Sequence, residues 1–131
     1  MITKEKKVKH IDELHFEHQL WYSEASFFAD ELKIYQNRLD EIASKNNKFE
    51  VRAQIEHFQN QFIIQKEQLD ILKHEITIYE QALAKYANEN PVAIDHKLFD
   101  ANKSLTDRAE MFRNIFTDLK KEFKKFASEW M

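Results

Sequence analysis

The sequence predicts an all-α fold in which three long helices form an antiparallel, up-down-up, coiled-coil-like bundle. Three observations predict it. Apolar residues recur at alternating steps of three and four along three stretches of the 131-residue chain. That is the 3.5-residue period of a helical seam, not the two-residue period of a strand. The chain has no glycine and a single proline, Pro91; tight turns and β-hairpins lean on glycine, so the elements should be few and long. The polar interruptions, Ser44–Asn47 and Asn88–Pro91, fall where the seams pause.

Helix 1 is expected over about 10–45, on the seam Leu14, His18, Trp21, Ala25, Phe28, Leu32, Tyr35, Leu39 and Ile42. Ser44-Lys45-Asn46-Asn47 should end it, because asparagine tolerates the left-handed backbone that glycine would otherwise supply. Helix 2 is expected over about 48–88. Asn47 followed by Glu50 resembles an N-cap with a returning carboxylate. Its seam is Ile55, Phe58, Phe62, Gln65, Leu69, Leu72, Ile76, Tyr79, Leu83 and Tyr86. Proline disfavours α geometry in the residue before it, so Asn88-Glu89-Asn90-Pro91 should end that helix. Helix 3 is expected over about 92–130, starting at Pro91 or after an Asp95 cap. Its seam is Leu98, Asn102, Leu105, Ala109, Phe112, Phe116, Leu119, Phe123, Phe126 and Trp130.

Short connections make sequential helices antiparallel neighbours. Folding at the two breaks then brings the seams into layers: His18 with Tyr79 and Leu105, Phe28 with Leu69 and Phe116, Tyr35 with Phe62 and Phe123, Leu39 with Phe58 and Phe126. The whole chain, 1–131, is expected to be a single domain. Its proportions resemble those of a spectrin-type three-helix repeat, a likeness of architecture alone.

A second apolar pattern lies off the seams. Leu20, Phe27 and Ile34 are seven apart on helix 1, with Phe16 nearby. Ile64, Ile71 and Ile78 are seven apart on helix 2. Helix 3 has only Met111, Ile115 and Phe99 off its seam. Both stripes lie beside the same flank of their own seam, and antiparallel helices meet like flank to like flank. If the handedness of the bundle puts those flanks at the helix 1–helix 2 contact, the six residues line one outer groove. Apolar surface of that extent marks a partner site. The simplest partner is a second copy of the chain related by a two-fold axis; another helical protein is the other candidate.

Few residues suggest chemistry. Without glycine there is no phosphate-cradling loop, dinucleotide-binding turn or nucleophile elbow. Without cysteine there is no disulfide, thiolate metal site or cysteine nucleophile. Glu-x-x-His and His-Glu-x-x-His, the usual ligand spacings of metal-binding helices, are both absent. The best remaining constellation surrounds His18, the one seam histidine. Tyr79 is its layer-mate, with a hydroxyl able to satisfy it, and Glu24 and Glu75 face each other a turn away if the flank assignment above holds. These three, His18, Glu24 and Glu75, are the weak candidates for a metal or small-ligand site. Gln65 and Asn102 are seam amides of the kind that fix register. Glu17, Glu24, Glu31 and Arg38 repeat every seven along one flank, as a solvated or salt-bridging face does.

The formal net charge of -3 gives no electrostatic reason to expect nucleic acid. The lysine clusters Lys6–Lys7–Lys9 and Lys120–Lys121–Lys124–Lys125 are expected to be solvated helix ends and faces. No apolar run approaches the roughly 20 residues of a membrane span, and the basic N-terminus lacks the apolar core of a secretory signal. The expectation is a cytoplasmic, non-enzymatic structural or interaction protein. It carries no cofactor and self-associates through Leu20, Phe27, Ile34, Ile64, Ile71 and Ile78. The alternative is a metal- or small-ligand-binding bundle built on His18.

Overall fold

The structure is a computed structural model. It describes residues 11–89 and 96–131, and side chains outside 87–99. The protein is an all-α three-helix bundle, with no strand among the described residues. Helix α1 spans Ile11–Lys45, α2 spans Phe49–Glu89 and α3 spans His96–Trp130. The Lys6–Lys7–Lys9 cluster, Asn90, Pro91, the Asp95 cap, and the side chains of Asn88, Leu98 and Phe99 lie outside what is described.

Tertiary contacts divide the chain into two compact units. Unit 1 comprises the chain up to Ala25 together with Ile71–Glu110, and unit 2 comprises Ser26–Asp70 with Met111–Met131. Each takes one segment from every helix. In unit 1 the core is Leu14, His18 and Ala25 of α1, Leu72, Ile76, Tyr79 and Leu83 of α2, and Asn102, Leu105 and Ala109 of α3. The His18 and Tyr79 rings meet edge to face at 5.0 Å, as their shared layer requires.

Unit 2 is an aromatic core. Phe28 meets Phe116 edge to face at 5.0 Å. Tyr35 lies 5.4 Å from Phe123, which meets Phe62 at 5.1 Å. Phe58 packs on Phe126 at 5.1 Å. Ring pairs at these spacings add about 0.5–1.5 kcal/mol beyond their buried area. Val51, one turn before Ile55, is also fully buried, so the α2 seam starts earlier than the sequence suggested.

The connection between α1 and α2 differs in two details from the expected one. No described residue has a positive φ, so neither Asn46 nor Asn47 takes the left-handed conformation. The Asn46 side chain closes the turn instead: its Nδ2 donates to the Ile42 carbonyl at 2.8 Å and to the Trp130 carbonyl at 3.2 Å. It thereby satisfies carbonyls near the ends of two helices, which otherwise lack partners. Arg52 donates to the Ala43 carbonyl at 3.0 Å. The first helical bond of α2 runs from the Arg52 amide to the Lys48 carbonyl at 2.9 Å. The cap position is therefore Lys48, one residue later than Asn47.

Candidate functional site

The side chains just after every second seam position decide which helix faces which. On α1 these include His15, Tyr22 and Gln36, and on α2 Gln59, Lys73 and Glu80. In unit 1 the Tyr22 hydroxyl donates to the Lys73 carbonyl at 3.1 Å, and His15 meets Glu80 at 2.5 Å. In unit 2 Gln36 donates to Gln59 at 2.7 Å. This flank of each helix therefore forms the α1–α2 contact.

The opposite flank faces α3. In unit 1 Arg108 grips Glu75 with two parallel hydrogen bonds of 2.6 Å. In unit 2 Lys120 reaches Glu31 at 2.9 Å and lies 5.6 Å over the Phe116 ring. Lys120 is thus tied into the bundle, while Lys121, Lys124 and Lys125 are exposed as expected. Leu20, Phe27 and Ile34 lie beside the Glu31 flank of α1; Ile64, Ile71 and Ile78 lie beside the Glu75 flank of α2. The condition for one shared groove is not met. In unit 1 Ile71 and Ile78 lie beside the Glu75 flank of α2, which meets α3, and in unit 2 Phe27 and Ile34 lie beside the Glu31 flank of α1, which meets α3; neither set lies at the α1–α2 contact of its unit.

All six stripe residues are exposed, at 45–58%. In unit 1 they are Leu20, Ile71 and Ile78, accompanied by exposed Phe16. Beside Ile78, the small side chains of Ala82, Ala101 and Ser104 leave an open groove of about 450 Å³, floored by Tyr79 and Leu105. In unit 2 they are Phe27, Ile34 and Ile64, with Ile63, Met111 and Ile115 also exposed. A groove of about 280 Å³ between α1 and α2 is bordered there by Ala29, Gln36, Phe62 and Ile63.

The His18 constellation is built differently from the expectation. Its Nε2 lies 2.8 Å from Asn102 Oδ1 and its Nδ1 faces Glu80 Oε2. Glu80 and Asn102, rather than the Tyr79 hydroxyl, satisfy the ring. Glu80 also receives His15 on its other oxygen. Its negative charge reaches Tyr22, whose hydroxyl is pushed above its usual 10.0 first by burial and then by Glu80. Glu75 is turned to α3, so it does not join His18 and Glu24 in one site. The Arg108 hydrogen bonds, followed by the guanidinium charge, hold its carboxyl below the usual 4.5 against the opposing effect of partial burial. Among the described residues, no group of three or more histidine, cysteine or carboxylate side chains is arranged to hold a metal ion.

Spacing alone did not point to Glu80. It is the residue after Tyr79, as His15 is the residue after Leu14, so both sit on the flank that became the α1–α2 contact. Choosing between flanks would have found it. Among the described residues, no helix is long and apolar enough to cross a membrane. No family model matches the chain, and no curated protein or solved structure matches it significantly.

Proposed function

We propose that this chain is a non-enzymatic structural or interaction protein of the cytoplasm that associates with a second copy of itself through the apolar stripes of α1 and α2. One observation carries this reading. Six large apolar side chains, spaced by sevens on two helices, stand 45–58% exposed although none is needed for the seams. Each contributes on the order of 1.5–3 kcal/mol when fully withdrawn from water, and about half of that from its present state. The open groove beside Ile78 in unit 1, floored by apolar side chains, offers a receptor of suitable shape for such a residue. A two-fold axis lets the same stripe serve as ligand and receptor.

Solution mass tests the proposal. Wild-type protein at tens of micromolar should sediment as a dimer, and Ile71→Glu, which changes an exposed residue, should sediment as a folded monomer. A monomeric wild type would overturn the self-association. Recovery of a helical protein of different sequence, bound stoichiometrically and released by Ile71→Glu, would replace the second copy with that partner.

A further inference from the structure

The α2–α3 face of unit 1 carries a ridge and a hole on one surface. Ile71 and Ile78 make the ridge on α2, at 47% and 51% exposure. The hole is the open groove of about 450 Å³ that Ile78 borders, where Ala82, Ala101 and Ser104 leave Tyr79 and Leu105 uncovered. Glu75 and Arg108 line the same groove, joined by two bonds of 2.6 Å. Their opposite charges cancel, so the face offers an identical face no net repulsion, and interface cores are depleted of uncompensated charge.

A surface that holds both ridge and hole can pair with itself across a two-fold axis. The direction of the axis decides what meets. An axis along the groove, parallel to the helices, keeps every residue at its own level and exchanges α2 for α3. Ile78 then lies over Ala101 and Ser104 of the second copy, its neighbours across the groove in one chain, and Glu75 lies over Arg108 of the second copy. An axis across the helices that brings Ile71 against Ile78 instead sets Glu75 against Glu75 and Arg108 against Arg108. Opposed like charges penalise a contact, and opposed unlike charges fix its register. Only the axis along the groove satisfies shape and charge together.

We propose that the second copy seats on this face about an axis along the groove, with each α2 antiparallel on the other copy's α3, Ile78 filling the groove beside Ser104 and Glu75 facing Arg108. The proposal rests on the self-association put forward above and locates its centre. In the single chain Glu75 and Arg108 are 39% and 41% exposed. Covering them with a second such pair makes a ring of four alternating charges and removes water that screens each attraction.

Cross-linking between copies tests the arrangement. The chain has no cysteine, so a single introduced thiol on each copy reports only contacts between copies. Ile78→Cys and Ser104→Cys change exposed residues and should fold as wild type does. A disulfide requires the two β-carbons within about 4.5 Å. The two variants, mixed, left to exchange and mildly oxidised, should give several-fold more cross-linked dimer on a non-reducing gel than either variant alone. A mixture of Ile71→Cys with Ile78→Cys that cross-links in its place would overturn the axis along the groove. A wild type that sediments as a dimer while Ile78→Cys and Ser104→Cys stay unlinked would overturn this contact and leave the self-association standing. A monomeric wild type would remove both.

Discussion

Glu75 and Arg108 show how much a single pair contributes. Their two 2.6 Å bonds have the forked geometry in which charge-assisted hydrogen bonds are strongest. Yet the side chains are 39% and 41% exposed, so water screens the attraction and the net contribution is about 0.2–1 kcal/mol. Arg108 is also held more firmly protonated than usual, chiefly by its bonds to Glu75. Glu75 keeps its proton less tightly in the folded chain than in the unfolded one. The stability it contributes is present above about pH 4.5 and is lost as pH falls through its lower folded value. Arg108→Gln should therefore cost under about 1 kcal/mol at pH 7 and flatten the loss of stability below pH 4.5, as measured by urea unfolding at pH 7 and pH 3. At this scale the sequence was only partly legible. His18 was identifiable because it interrupts an apolar seam. Glu80 and Arg108 were not, because a charged residue on a helix flank looks the same whether it faces water or another helix.

The helices themselves were legible because only a helical seam sustains a 3.5-residue repeat over many turns. The described seam residues are buried or half-buried, with Trp21, Tyr35, Ile55, Tyr86 and Trp130 in the second group. Caps were less legible, since they depend on which side chain happens to reach a free carbonyl. Asn46 reaches two, one of them across to α3. Asn46→Ala should cost about 1–2 kcal/mol, the sum of two ordinary hydrogen bonds, in a urea titration. Phe123, 2% exposed and in contact with the rings of Tyr35, Phe58, Phe62 and Phe126, lies at the other extreme. Phe123→Ala removes a large buried ring and should cost about 3–5 kcal/mol; a loss below about 1 kcal/mol would mean that the aromatic cluster closes over the gap.

The whole molecule depends on a choice that spacing leaves open. A repeat pattern fixes which residues point inward, but three seams can be assembled with either hand. Only the contacts of Tyr22 with Lys73, Gln36 with Gln59, Glu31 with Lys120 and Glu75 with Arg108 resolve it. Within each unit, the choice decides which flank of α1 and of α2 meets α3 and which forms the α1–α2 contact. If the stripes join two copies, stability is coupled to concentration, because association draws on the folded state alone. The thermal midpoint of wild type should then rise over a hundredfold increase in protein concentration, while that of Ile71→Glu should stay constant.

The two cores differ in kind, and that difference sets a timetable for opening. Unit 2 is closed by Phe28, Phe58, Phe62, Phe112, Phe116, Phe123 and Phe126, whereas unit 1 places His18 and Asn102 among Tyr79 and smaller aliphatic groups. Backbone amides exchange with solvent through local openings whose cost follows the apolar contacts that must be broken. Along the single helix α2, amides of residues 72–86 should therefore exchange with deuterium sooner than those of residues 55–69. One continuous helix would carry two clocks, with the faster of them in unit 1.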